Sequence, residues 1–74
     1  MLSSLCFIIL VGMSGDGHET KMLIPAHQIG YVKKMGKDKY STLRIDTSPT
    51  NYHFFEIKET AEEVAQIIKK ECKL

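Results

Sequence analysis

The clearest alternation of apolar and polar positions lies in the middle of the chain. From Tyr40 to Thr47, Leu43 and Ile45 point one way while Thr42, Arg44 and Asp46 point the other, the two-residue period of a strand with one wet face. Ser48-Pro49-Thr50-Asn51 reads as a turn with proline fitted to its second position. Tyr52 to Lys58 (YHFFEIK) then returns as a strand, with Phe55 and Ile57 facing the same core as Leu43 and with Tyr52 and Phe54 on the outer face. Thr60-Ala61-Glu62-Glu63 is a capping box. Behind it Ala61, Val64, Ala65, Ile68 and Cys72 recur at helical spacing, with acidic residues opening the helix and Lys69, Lys70 and Lys73 closing it.

The first half is less regular. Leu5 to Val11 (LCFIILV) is apolar at every position, so alternation assigns it no face and both faces need cover, as in a central strand or a subunit interface. Gly15, Asp16 and Gly17 supply the turn chemistry of a hairpin. A second strand starts at Lys21 to Ile24, is interrupted by Pro25, which cannot donate to a ladder, and resumes at Gln28 to Lys34. Lys34 to Lys39 (KMGKDK) is a polar turn. The pattern predicts an α+β fold: a mainly antiparallel sheet of about four strands with one C-terminal helix packed on one face.

At 74 residues the chain is bounded to one small domain, 1–74. Such a chain buries only about 60% of its unfolded surface, so self-association is a natural source of further burial. Ten Lys and Arg against nine Asp and Glu give a net charge of +1, which excludes a strongly charged partner surface on bulk charge alone and leaves local patches open. Cys6 and Cys72 have no C-x-x-C spacing and are expected as reduced thiols packed as small hydrophobes. The run Leu5 to Met13 has no Lys or Arg before it, as a signal peptide requires, and is too short to span a bilayer. The expected location is cytoplasmic.

The stretch FIILVGMSGDGHET invites comparison with a phosphate loop, since Gly12 and Gly17 have the G-x-x-x-x-G spacing. His18 stands where the loop's lysine belongs and Glu19 where its magnesium-binding hydroxyl belongs, so both chemical groups are missing and a hairpin turn is the expectation. Asp16, His18 and Glu19 carry metal-ligating groups, but all sit in that one turn without a second cluster at a zinc spacing. His27 reads as a turn residue, and His53 as a partly buried histidine on the parity of Phe55. No nucleophile and base can be paired, so no catalytic residue, metal or cofactor is assigned and the chain is not expected to be an enzyme.

Two surfaces remain. The apolar residues Phe7, Ile8, Ile9 and Leu10, with the outward Tyr52 and Phe54, are the expected contact to a protein partner or to a second copy of the chain. Lys33, Lys34, Lys37, Lys39 and Arg44, with tyrosines nearby, form a basic hairpin able to follow a nucleic-acid backbone, and also read as edge lysines that guard a sheet against aggregation. The reading is a small protein-interaction module that associates with itself through the first strand and outer sheet face; the alternative is a nucleic-acid-associated regulator using that hairpin.

Ile24-Pro25-Ala26-His27-Gln28-Ile29, the strand Ser41-Thr42-Leu43-Arg44-Ile45, and Phe55-Glu56-Ile57-Lys58-Glu59-Thr60-Ala61-Glu62-Glu63-Val64 together resemble the short FlbD-type proteins of bacterial flagella and swarming, over about residues 22–70. The chain departs from that pattern in its apolar beginning, FIILVGM, and in joining its last strands by Ser48-Pro49-Thr50-Asn51. The resemblance implies a non-enzymatic accessory protein that acts by binding other proteins, and it transfers no catalytic or ligand residue.

Overall fold

The computed structural model describes residues 6–72. The predicted positions Leu5, in the first strand, and Lys73, in the helix's closing turn, lie outside them. Strands β1 (Phe7–Met13) and β2 (Glu19–Pro25) form an antiparallel hairpin in register from Phe7 opposite Pro25 to Met13 opposite Glu19. A single 3-10 turn, Ala26–Gln28, leads into β3 (Ile29–Lys33), followed by β4 (Ser41–Ser48), β5 (Asn51–Ile57) and helix α1 (Ala61–Cys72). All pairings are antiparallel, in the order β2-β1-β5-β4-β3.

There are five strands where the sequence predicts about four, and Pro25 is the cause. The interrupted second strand becomes two strands that end on opposite edges of the sheet. Four inter-strand spacings of a flat sheet come to about 19 Å. The link from Pro25 to Ile29 reaches at most about 14 Å when extended, and a 3-10 turn shortens it. The sheet therefore curls enough to bring the end of β2 at Pro25 near the start of β3 at Ile29. Gly30 lies where the β3 register shifts, and a Cβ there would stand 2.7 Å from Asp46 Oδ2. A glycine lets β4 come this close.

Inside the curl lie Ile8, Leu10, Ile24, Leu43, Ile45, Ile57 and Val64. Each buried side chain of this size contributes about 1.5–3 kcal/mol through the water it sheds. β1 alternates after all: Ile8 and Leu10 are buried, at 1% and 0% exposure, while Phe7 and Ile9 face out. The chemical uniformity of FIILV hides this, because both kinds of position carry apolar side chains. Phe55 shares the inward parity of Ile57 yet is 40% exposed, and His53 is exposed rather than partly buried. The helix lies chiefly against β1 and β3, and so leaves that end of β5 uncovered.

The capping box forms as expected. Glu63 N–H donates to Thr60 Oγ1 at 3.1 Å, and Thr60 N–H donates to Glu63 Oε1 at 2.9 Å. The inward stripe is Val64, Ile67, Ile68 and Cys72, whereas Ala61 and Ala65 are exposed. The helix is thus turned toward its larger side chains, which bury more apolar area per contact.

The expectation of reduced thiols is overturned: Cys6 and Cys72 are joined by a disulfide, with Cα atoms 5.7 Å apart and a sequence separation of 66. At the helix's other end Lys58 N–H donates to the Val11 carbonyl at 2.8 Å, and the Glu59 carboxylate accepts from Val11 N–H. The helix therefore runs back along β1 from Val11 to Cys6. Twelve helical residues span about 18 Å and five strand steps about 17 Å, so the two elements match in length.

Candidate binding surfaces

The Gly-rich stretch closes on itself. Ser14 N–H donates to the His18 carbonyl at 2.8 Å and Gly17 N–H to the Ser14 carbonyl at 3.0 Å, with Gly17 at a φ of 88° that favours glycine. The Asp16 carboxylate accepts the Ser14 hydroxyl and, at 3.2 Å, His18 N–H. These two bonds, the hydroxyl's first, hold Asp16 below the ordinary carboxylate range. The Ser14, Gly17 and His18 N–H groups are thus spent inside the hairpin turn. Glu19 points elsewhere: its carboxylate accepts from Tyr40 Oη at 3.4 Å and lies 3.7 Å from Lys58 Nζ. Among the described residues no three His, Cys, Asp or Glu side chains converge on a metal position.

Of the predicted apolar contact residues, Ile8 and Leu10 belong to the core and are withdrawn from the contact set. Phe7, Ile9, Tyr52 and Phe54 stay outside, at 48%, 58%, 51% and 52% exposure. They do not form one patch. β1 meets β5 only where Gly12 faces Ile57; Ile9 lies three residues from that crossing in one direction and Phe54 three in the other. Along the strands this places them about 20 Å apart.

The first patch is on the β1–β2 hairpin. Ile9 pairs directly with Leu23, which is 66% exposed, and Phe7 lies two residues along on the same face. Sequence reasoning missed Leu23, because its outward parity shows only once the register to β1 is known. Gly12, at the inner end of this hairpin, leaves room for Met22: a Cβ there would meet Met22 Cε at 2.5 Å.

The second patch is aromatic and cationic. Arg44 on β4 faces Tyr31 of β3 on one side and Phe54 of β5 on the other. Its guanidinium carbon stands 4.3 Å from the Tyr52 ring centroid and 5.9 Å from that of Tyr31. Arg44 Nε donates to Asp46 Oδ1 at 2.7 Å, and this bond raises the Arg44 pKa above its ordinary value. The Phe54 ring lies 5.4 Å from Tyr52, edge to face, and 6.4 Å from Tyr31, while Lys33 Nζ sits 5.5 Å from the Tyr31 centroid.

The predicted basic hairpin is divided by this arrangement. Lys33 and Arg44 join the aromatic patch, Lys39 lies 5.6 Å over the Tyr40 ring, and Lys34 and Lys37 are exposed in the turn around Gly36. A groove of about 460 Å³ adjoins Arg44 and Asp46 and is lined also by His27 and Gln28. A second groove, about 640 Å³, runs beside the start of α1 between Glu59, Glu62 and Ile67. No family model, curated protein or solved structure matches the chain.

Proposed function

We propose that this chain is a non-enzymatic protein-interaction module that associates with itself through the outer face of the β1–β2 hairpin. The observation that carries the reading is the row Phe7, Ile9 and Leu23, three large apolar side chains about half exposed or more on adjacent strands. Contiguous apolar surface rimmed by polar residues marks an interaction site, and here Lys21 and Glu19 continue the same face of β2. The resemblance to FlbD-type accessory proteins agrees with such a role. Sedimentation equilibrium of the wild type and of Ile9→Glu tests it. A concentration-dependent mass above 8.4 kDa that falls to 8.4 kDa in the variant is expected. A wild type that stays at 8.4 kDa at every concentration contradicts it.

A specific observation favours a second reading, nucleic-acid binding. Tyr31, Tyr52 and Phe54 share one sheet face with Arg44 and Lys33, and exposed rings beside cations are what stack bases and follow a phosphate backbone. It predicts salt-sensitive binding of single-stranded oligonucleotides, abolished by combining Tyr52→Ala with Phe54→Ala; absence of binding at low salt removes it.

For the location, no helix among the described residues is long and apolar enough to cross a membrane. The proposed compartment is the cytoplasm, where disulfides are rare and, when present, usually transient. The Cys6–Cys72 bond therefore calls for its own account.

A further inference from the structure

We propose that the Cys6–Cys72 disulfide is a redox-operated latch on helix α1, closed under oxidising conditions and opened by cellular thiols. The helix is fastened to β1 at its two ends by different chemistry. At its beginning, Glu59 and Lys58 bond to the backbone of Val11, and the Thr60–Glu63 box caps the first turn. At its end the fastening is the covalent bond from Cys72 to Cys6. Reduction thus removes one fastening and leaves the other intact. Neither cysteine is fully buried, and thiol attack on a partly exposed bond does not require global unfolding.

The chemistry balances with a monothiol such as glutathione. One glutathione thiolate attacks a sulfur of the bond and forms a mixed disulfide, releasing the first protein thiolate. A second glutathione thiolate displaces the other protein thiolate and leaves as glutathione disulfide. Two electrons pass to the protein, and Cys6 and Cys72 take up the two protons that the glutathione thiols gave up.

In the opened state the chain is still held on Val11 by Glu59 and Lys58, so the bond closes only the stretch from Glu59 to Cys72. A loop of about 13 residues multiplies the ratio of closed to open states roughly 10²-fold by the loop-entropy rule. Opening frees the last turns of α1, whose Ile67, Ile68 and Cys72 pack against the core, and so uncovers the Ile8 and Leu10 side of β1. This inference is independent of the self-association reading, which uses the opposite face of β1.

The test is amide hydrogen exchange and thiol counting on the full chain across glutathione-to-glutathione-disulfide ratios, alongside Cys6→Ser/Cys72→Ser. The expected result is two titratable thiols at cytoplasmic ratios and exchange at least tenfold faster at Ile67 to Cys72, with β4 and β5 amides much less affected. The double variant should show the open helix end at every ratio. A bond that stays closed at cytoplasmic ratios overturns the proposal. So does exchange that is unchanged by reduction, or equally accelerated in strands and helix.

Discussion

The Glu59 carboxylate accepts the backbone N–H of Val11 through both oxygens, at 3.1 and 3.0 Å, across 48 positions of sequence. Past Ile57, the last β5 residue paired with β1, Lys58 N–H still donates to the Val11 carbonyl, but Val11 N–H finds its acceptor in this side chain instead of a strand carbonyl. An N–H left partly buried without an acceptor costs about 1–3 kcal/mol. Glu59→Ala is therefore expected to lower the unfolding free energy read from denaturant titration by that amount, and Glu59→Gln, which keeps one acceptor oxygen, by less. Equal losses in the two variants would show that the carboxylate's hydrogen bond is not what stabilises this junction.

The cap of α1 offers a separate measurement. Thr60→Ala removes the acceptor for Glu63 N–H and is expected to cost about 1 kcal/mol. Helix content at a fixed intermediate denaturant concentration reads the effect, and Thr60→Ser should restore most of it.

Neighbouring isoleucines in β1 should respond oppositely. Ile8 is fully enclosed, so Ile8→Ala creates a cavity and is expected to cost about 2–5 kcal/mol. Ile9 faces out, and Ile9→Ala should change the stability of the single chain by no more than about 0.5 kcal/mol. Urea unfolding at low protein concentration separates the two. Similar losses would mean that β1 does not have the two faces described.

Acid should loosen the β1–β2 turn through Asp16. Its pKa is lowered in the folded chain by the Ser14 hydroxyl and then by His18 N–H. A depressed carboxylate stabilises the folded state fully above its ordinary value of 3.8 and loses that contribution as pH falls through the folded pKa. Protection of the His18 amide, its exchange measured against the intrinsic rate at the same pH, is expected to fall below pH 3.8 in the wild type, and Asp16→Asn should remove this pH dependence.

The elements with strong local chemistry were legible in the sequence. The Thr60–Glu63 box, the alternation of Leu43 and Ile45 and the Gly15–Gly17 turn all depend on residues close in sequence, and each lies where its pattern placed it. What was not legible depends on distant partners. The facing of β1 required the pairing of Ile9 with Leu23, and the helix orientation required contact with β1 and β3. The Cys6–Cys72 bond joins the two ends of the described chain, and no spacing rule links residues so far apart. The division of the outer apolar residues into two patches follows from the single crossing at Gly12 and Ile57, a matter of register that composition does not carry.

The most direct test of the proposed contact is an isotope-filtered NOE experiment on a mixture of labelled and unlabelled chains, which reports only contacts between copies. Intermolecular signals are expected from the side chains of Phe7, Ile9 and Leu23. Signals confined to Tyr52 and Phe54 or to α1, or none at a concentration where the mass exceeds that of one chain, would contradict it.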